Sequence, residues 1–262
     1  KGNTMSEKNK QRVVVWFSNG ATSAVAWKLA VKHFGAESVQ AVLCDTGSEH
    51  PDNYRFGKEV SEWVGQPLTI LKSDKYDDTW EVFSKTRFLV GQNGARCTTE
   101  LKKKLRQDFQ RTDDIHVFGY DAGETERVKK FEHNNPELEL WLPLLKHGLD
   151  KSACLSIIDN AGIEIPEMYK LGYGHNNCVG CVKGGMGYWN KIREDFPEVF
   201  DRMSKMEREL DVAICYKEKK ENGKRVKLPL FLDELSPNDG KYEEEPKMSC
   251  DFLCGMVSDD LK

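Results

Sequence analysis

The sequence predicts a doubly wound α/β fold, with a mostly parallel sheet and a helical C-terminal extension. Short runs of β-branched and aromatic residues alternate with segments of helical spacing over the first 140 residues or so. Such alternation indicates βαβ units and a parallel sheet. Beyond that point helix-like segments predominate, and they predict the extension.

Four apolar runs predict buried strands in the sheet domain. Each is short and is followed by polar or small residues, as expected where a strand ends at a sheet edge. The runs are RVVVWF at 12–17, VQAVLCDTG at 39–47, PLTILKSD at 67–74 and DIHVFGYDAGE at 114–124. Helices are predicted between them, over 24–35 with Gly35 at the end, and over 51–65 with Pro51 near the start.

The second half is predicted to contain a loop and a helix over 140–166, and then a Cys-x-x-Cys pair. One or two amphipathic helices follow over 187–214, broken or started at Pro197, and a charged hairpin turns at Asn222-Gly223. We predict four regions: a tag remnant and N-terminal tail at 1–11, an α/β nucleotide-binding domain at 12–150, a helical extension at 151–235, and a flexible acidic linker with a Cys-bearing tail at 236–262.

Composition favours a globular, cytoplasmic protein. The 262 residues are 39% hydrophobic and 31% charged, and the net charge of −4 does not indicate general nucleic-acid binding. No apolar run is long enough to span a membrane, and the polar start does not resemble a secretory signal. Eight cysteines in a reducing compartment favour metal binding or redox chemistry over structural disulfides.

A small-residue loop joins the first predicted strand to the first predicted helix. It places Ser18, Gly20 and Ser23 where the helix begins, and backbone N–H groups at a helix start attract anions. Gly20 would allow a phosphate to approach the backbone closely. The alternative is an ordinary strand-to-helix turn with a serine cap. The Walker pattern of P-loop proteins is absent.

The loop SNGATS resembles the phosphate loop of the adenine-nucleotide α-hydrolase (PP-loop) superfamily, written S-G-G-x-D-S. It keeps both serines and Gly20, and it differs at Asn19 and Thr22. The segment CDTGSEHPDNYRF resembles the D-T-G-x-x-x-P-E-T-Y-R-F segment of phosphoadenosine phosphosulfate (PAPS) reductases. The stretch from LPLLKHG to HNNCVGC is similar to the later part of that family, so the resemblance covers roughly residues 12–195.

This resemblance implies an adenine-nucleotide site at the carboxyl ends of the strands. It implies the following nucleotide-binding residues: Ser18, Asn19, Gly20, Thr22, Ser23, Asp45, Gly119, Glu124 and Arg127. The basic run at 96–106 could also meet phosphates or a nucleic acid. We favour a solvated helix face for that run, because most charge runs are exposed.

Three cysteines resemble ligands of the adenylylsulfate reductases in the same family. Those enzymes hold a [4Fe-4S] cluster with a Cys-Cys pair and a later C-x-x-C; here Cys97, Cys178 and Cys181 remain, and Arg96 replaces one cysteine. A second interpretation adds Cys250 or Cys254, completing the cluster or forming a zinc site. In a third, the thiols bind no metal.

Three functions follow as expectations. The first is reductive cleavage of a sulfonucleotide, adenylyl sulfate (APS) or PAPS, to sulfite, with Cys250 as the nucleophile and a thioredoxin-like reductant. The second is ATP pyrophosphatase-type activation of a nucleic acid or small molecule for sulfur insertion. The third is a catalytically inactive nucleotide-binding module with a structural zinc. No membrane partner is expected, and the sequence predicts no particular oligomeric state.

Overall fold

The computed structural model describes residues 11–91, 94–221 and 224–245. The chain divides into two compact units made of interleaved segments. The first comprises the residues up to Cys44, with Pro51–Leu71 and Arg106–Gly172; the second comprises Asp45–His50, Lys72–Leu105 and the residues from Tyr173 onward.

The strands and helices of the described residues are numbered in chain order. The strands are β1 Val13–Phe17, β2 Val39–Cys44, β3 Leu68–Leu71, β4 Val90–Gly91, β5 Gly94–Ala95, β6 Ile115–Val117, β7 Glu139–Trp141, β8 Cys215–Glu221 and β9 Lys224–Leu230. The α-helices are α1 Ala21–Phe34, α2 Asp52–Val64, α3 Thr79–Thr86, α4 Arg96–Thr98, α5 Lys104–Phe109, α6 Thr125–Asn134, α7 Pro143–Lys146, α8 Lys151–Asn160, α9 Glu167–Lys170, α10 Met186–Asp195 and α11 Pro197–Leu210.

The first unit is built on a five-stranded sheet of order β3-β2-β1-β6-β7, in which every pairing is parallel. The chain starts at the centre, moves outward to β3, and then returns to the other side of β1. The strand order therefore reverses between β1 and β6, where ligands bind in open α/β sheets. The predicted doubly wound, parallel fold is confirmed.

Both faces of β1 are buried, because helices pack on this central strand. Val13, Val15 and Phe17 join α1, α2 and α8 in one hydrophobic core, and Trp27 of α1 lies against Phe17 with ring centroids 5.5 Å apart. Trp16, on the opposite face, donates to His116 Nδ1 at 3.0 Å. Burial of this kind supplies most of the stabilisation of a sheet, about 25 cal/mol per Å² of apolar surface.

The edge strand β7 was not among the four predicted strands. The sequence there predicts a loop leading into a helix, whereas the structure forms a three-residue strand and then two helices, α7 and α8. A three-residue strand flanked by prolines at 136 and 143 is too short to show a clear periodicity.

The second unit contains α10 and α11, which lie within the helical extension predicted over 151–235. Pro197 is the first residue of α11, a position where its missing N–H costs nothing. Strands β8 and β9 form the predicted antiparallel hairpin. At the end of α11, the buried Glu207 accepts hydrogen bonds from the N–H groups of Ile214 (2.6 Å) and Leu232 (2.7 Å). Burial raises the pKa of Glu207 to about 7.

None of the helices in the described ranges is long and apolar enough to cross a membrane.

Candidate nucleotide site and cysteine region

The loop between β1 and α1 is closed by its two serines. The Ser23 hydroxyl accepts the Ser18 N–H at 3.1 Å, lies 3.1 Å from the Ser18 hydroxyl, and donates to the Gly20 carbonyl at 2.9 Å. Ser18 is exposed, and Gly20 and Ser23 are buried. The loop is therefore held in one shape, and Ser18 forms its solvent-facing rim.

Asn19 takes the backbone conformation that a glycine would otherwise supply. Its φ of 54° lies in the left-handed region, which asparagine tolerates better than most residues. Its side chain is buried against α2, where a Cβ at Gly57 would come within 2.9 Å of Asn19 Oδ1. Asn19, which replaces the first glycine of the S-G-G pattern, therefore keeps the backbone geometry of the loop, and its side chain fills the space beside Gly57.

Gly119 lies two residues beyond β6 and against the first turn of α1. A Cβ there would approach Ser23 N to 2.6 Å and Ser23 Cα to 2.7 Å, closer than real Cβ atoms come. Only glycine allows this close contact. Gly119 therefore lets the loop after β6 approach the loop after β1, at the place where the strand order reverses.

The first turn of α1 carries no acidic residue, and the residue before the helix, Gly20, has no side chain that could cap it. Tyr169 lies beside it: the Ala21 N–H donates to the Tyr169 hydroxyl, and burial raises the pKa of Tyr169 to about 12, so the hydroxyl keeps its proton. The Lys151 ammonium lies 4.5 Å from the centre of the Tyr169 ring. Sequence analysis did not name these two residues, although Tyr169 opens the Y-x-x-G-Y stretch.

Glu124 and Arg127 form an ion pair at the start of α6. Glu124 also accepts the Asp121 N–H at 3.1 Å, and the Arg127 guanidinium lies 5.2 Å from the centre of the Tyr120 ring. The structure thus brings the two predicted residues together in the loop region that follows β6. Their role toward a nucleotide stays a prediction.

Asp45 and the loop that follows it belong to the second unit. The Asp45 carboxylate accepts the Gly47 N–H at 2.9 Å and lies 3.1 Å from Lys72 Nζ. Gly47 has a φ of 63°, and a Cβ there would come within 2.2 Å of the Asp77 carbonyl. Asp45, Thr46 and Gly47 thus form a tight turn, in which the Asp45 carboxylate accepts a backbone N–H and Gly47 supplies the positive φ.

The basic run at 96–106 is largely buried, so our preference for a solvated helix face was wrong. Residues Thr99–Lys103 form a π-helical turn, a distortion common at functional sites. Lys102 and Lys103 are only 7% and 6% exposed, and Lys102 Nζ lies 4.0 Å from Glu49. A buried ammonium group is stable only where negative charge lies nearby, and Glu49 supplies such a charge to Lys102.

The neighbouring Arg106 has a structural environment in the first unit. Its side chain is 2% exposed, donates to Asn135 Oδ1 at 3.4 Å and lies 5.9 Å from the centre of the Phe131 ring. Burial lowers the pKa of Arg106. These contacts indicate core packing rather than ligand binding.

The Cys-x-x-Cys pair lies in a tight, buried turn. The Tyr188 hydroxyl accepts the N–H groups of Gly180 (3.0 Å) and Cys181 (2.9 Å), and the Thr46 hydroxyl lies 3.0 Å from Cys178 Sγ. Burial raises the pKa of Tyr188 well above its usual range. The turn is therefore shaped by backbone hydrogen bonds to one buried tyrosine.

The metal prediction is not resolved by these residues. Cys97, Cys178 and Cys181 all lie in the second unit, yet within the described ranges no three His, Cys, Asp or Glu side chains group into a set that could hold a metal ion. Cys250 and Cys254 lie outside the described residues. The shared metal centre of Cys97, Cys178 and Cys181 stays a prediction.

A comparison with protein families gives a match that covers most of the chain. The family model of the phosphoadenosine phosphosulfate reductase domain matches residues 12–185. The chain belongs to this family. The family is nucleotide-binding, and the predicted family assignment is confirmed. The match includes the phosphate loop, the π-helical turn and the Cys-x-x-Cys pair, and it ends before α10.

The relatives found by sequence are themselves uncharacterised. An uncharacterised nin region protein of Escherichia phage lambda is 45% identical over 62 residues, which are 23% of this chain and 21% of the relative. An uncharacterised protein of Methanocaldococcus jannaschii is 23% identical over 227 residues, 78% of this chain and 43% of that protein. The chain thus spans less than half the length of these curated relatives.

Among solved structures, the chain is similar to the phosphoadenylyl-sulfate (PAPS) reductase from Candida auris, determined as a phosphate complex. The TM-score is 0.49 at 15% identity, over 66% of this chain and 82% of that chain.

Proposed function

We propose that the chain is an enzyme that binds an adenine sulfonucleotide, with a phosphate group on the loop Ser18–Ser23. The observation that carries this proposal is the loop itself. It joins a buried central strand to the start of α1 at the point where the strand order reverses, and it is tied closed by Ser23. The N–H groups at a helix start and the helix dipole favour an anion there.

The proposed reaction is reductive cleavage of APS or PAPS. A thiolate attacks the sulfur atom, the bond from sulfur to the phosphate oxygen breaks, and the nucleotide leaves with that electron pair. The enzyme then holds a thiosulfonate, and attack by a second thiol forms a disulfide and releases sulfite. A dithiol protein of the thioredoxin class supplies the two electrons that restore the thiol. The proposed location of the reaction is the cytoplasm. Cys250 is the proposed nucleophile.

One observation favours a second candidate, ATP-dependent activation of an acceptor for sulfur insertion. The loop keeps the Ser-x-Gly-x-x-Ser arrangement of ATP pyrophosphatases with its backbone geometry intact, because Asn19 supplies the left-handed conformation. The tail sequence MSCDFLCGM also differs from the E-C-G-L-H segment of the reductases. With Cys250 aligned to its cysteine, the other four residues are replaced, by Ser249, Asp251, Phe252 and Leu253.

Calorimetric titration with ATP, APS and PAPS tests the binding proposal. We expect tighter binding of a sulfated nucleotide than of ATP, and a loss of at least tenfold in affinity for Ser23→Ala. Ser156→Ala is the matched control, because the Ser156 hydroxyl only donates to a carbonyl in its own helix at 3.1 Å. Absence of binding by all three ligands would refute the proposal.

Product analysis separates the reactions. Sulfite formation that depends on a dithiol reductant and is lost in Cys250→Ser, but kept in Cys254→Ser, supports the reductase. Pyrophosphate release from ATP supports the second candidate. Nucleotide binding with neither product would indicate the third function, an inactive binding module.

A further inference from the structure

The β8–β9 hairpin concentrates positive charge in a chain that is otherwise acidic. Residues 215–230 contain six Lys or Arg and two Glu, so they carry a net charge of +4 while the rest of the chain carries −8. The hairpin lies outside the part matched by the family model. Neither the family fold nor the candidate nucleotide site accounts for this charge.

One face of the hairpin combines three of its six basic side chains with an exposed aromatic ring. Directly paired residues of antiparallel strands lie on the same face. Tyr216 pairs with Pro229, Glu218 with Lys227, and Lys220 with Arg225, so these three pairs share one face. Tyr216 is 47% exposed.

The same face borders a cleft at its base. The cleft has a volume of about 500 Å³, within the range of small-molecule sites, which is about 300–1,000 Å³. From the hairpin, Tyr216, Glu218 and Lys227 line it; from the residues before and at the start of α10, Lys183 and Met186 do. An aromatic ring and two ammonium groups therefore face one opening of nucleotide size.

The acidic side chains of this surface are already engaged. Glu218 lies 3.4 Å from Arg225, and the Glu245 carboxylate, which also lines the cleft, accepts the N–H groups of Gly187 (2.6 Å) and Tyr188 (3.2 Å). The cleft itself carries two lysines and two glutamates, so the excess positive charge of this surface comes from the rest of the hairpin, whose Lys and Arg outnumber its Glu by four.

We propose that this hairpin face and its cleft bind single-stranded nucleic acid. Lys220, Arg225 and Lys227 contact successive phosphates, and Tyr216 stacks on a base that enters the cleft. Proteins that bind single strands combine a basic groove with aromatic stacking platforms in this way. The proposal does not depend on the sulfonucleotide reaction, and it identifies a macromolecular partner that the nucleotide site alone does not predict.

Binding of a fluorescein-labelled 20-nucleotide oligothymidylate to the whole chain, measured by anisotropy between 50 and 200 mM salt, tests the proposal. The triple variant Lys220→Gln, Arg225→Gln, Lys227→Gln should bind at least tenfold more weakly at 50 mM salt. Its slope of log affinity against log salt should fall by about 2, since each phosphate contact on a single strand contributes about 0.7.

The matched control removes three positive charges elsewhere. Lys58, Lys85 and Lys129 are exposed, and each forms an ion pair with a glutamate of its own helix, α2, α3 or α6. The triple variant Lys58→Gln, Lys85→Gln, Lys129→Gln therefore changes the net charge by the same amount. This control should keep the wild-type slope. An equal loss in both triple variants would show that net charge, and not the hairpin, governs binding.

Tyr216 separates single-strand binding from general attraction to phosphate. Tyr216→Ala should weaken oligothymidylate binding about tenfold, and Tyr216→Phe should restore it, because stacking needs the ring and not the hydroxyl. The proposal fails if the wild type does not bind at 50 mM salt, if a 20-base-pair duplex binds more tightly, or if Tyr216→Ala has no effect. It also fails if anionic vesicles bind and the oligonucleotide does not. An unchanged urea unfolding midpoint shows that each variant is folded.

Discussion

The starts of α1 and α10 present the same backbone feature with different occupants. Each helix follows a glycine, Gly20 or Gly185, that provides no side-chain cap, and neither has an acidic residue in its first turn. At α10 the chain itself supplies the anion, since the Glu245 carboxylate accepts the N–H groups of Gly187 and Tyr188. At α1 the neutral hydroxyl of Tyr169 accepts the hydrogen bond from the Ala21 N–H.

The difference indicates how one backbone geometry serves two purposes. A helix start that accepts a carboxylate from its own chain gains about 0.5–2 kcal/mol of stability, as an N-cap does. A helix start that meets only a hydroxyl keeps its electrostatic attraction for a charged ligand. We therefore interpret the α10 start as structural and the α1 start as the ligand site.

The largest effect is expected at Gly119, which lets the two loops at the α1 start approach. In Gly119→Ala the new Cβ would overlap Ser23 N, so we expect at least about 100-fold weaker nucleotide binding. Overpacking should also lower the free energy of unfolding by about 1–3 kcal/mol. Calorimetric titration and urea unfolding measure the two losses.

Gly123→Ala, in the same loop, is the control. Its Cβ would meet only the Asp121 side chain, at 3.2 Å. Equal losses in both variants would show that the loop after β6 tolerates no added side chain anywhere, and the specific role of Gly119 would be excluded.

Glu207 extends the comparison to a carboxylate that is fully buried. It also accepts two backbone N–H groups, but burial raises its pKa to about 7 from an ordinary value of 4.5. Between these values the folded chain holds one proton more than the unfolded chain, so stability falls as pH rises, by up to about 3 kcal/mol. Below pH 4.5 and above pH 7 this contribution is constant.

Urea unfolding of the wild type and Glu207→Gln from pH 4 to pH 8 measures this contribution. The glutamine variant does not titrate, so the difference in unfolding free energy between the two proteins should change with pH over the window 4.5–7. If the difference is constant across that window, Glu207 keeps an ordinary pKa in the folded chain.

The third expected effect concerns the carboxylate at α10. Glu245→Ala removes the acceptor for two helix-start N–H groups, and the loss should be about 1 kcal/mol. Hydrogen exchange of the Gly187 and Tyr188 amides should accelerate about fivefold or more. Glu244→Ala is the control, because Glu244 is exposed and only pairs with Lys241 at 2.9 Å.

Local patterns predicted much of the first unit. The phosphate loop could be recognised because strand, small residues and helix follow one another within 23 positions, and Gly119 was implied by resemblance. The sequence could not show that Asn19 would replace a glycine by adopting a positive φ, because that requires the space over Gly57, which lies in a different helix.

Long-range contacts explain what sequence analysis missed. Lys102 and Lys103 resembled a solvated face, and their burial depends on a π-helical turn that composition does not encode. The segment 236–245 is predicted to be part of a flexible linker because it is acidic and contains glycine and proline. Yet Asn190 of α10 donates to the carbonyls of Ser236 and Asp239, at 2.9 and 2.7 Å. The interleaved units are likewise invisible to local pattern analysis.

The smallest effect is expected at Tyr169, the neutral group at the α1 start. Its hydroxyl accepts the Ala21 N–H and keeps its own proton, because burial raises its pKa to about 12. That proton can be donated to a phosphate oxygen on the loop. Tyr169→Phe removes one neutral hydrogen bond, which is worth about 0.5–1.5 kcal/mol, so nucleotide affinity should fall about three- to tenfold.

Calorimetric titration at pH 7 and pH 9 measures this change, with Tyr76→Phe as a control that lies in the second unit. The loss should be the same at both pH values, since the hydroxyl does not titrate between them. Tighter binding by Tyr169→Phe would contradict the assignment. It would mean that the hydroxyl competes with phosphate for the Ala21 N–H, and that the α1 start, like the α10 start, is blocked by its own chain until a ligand displaces it.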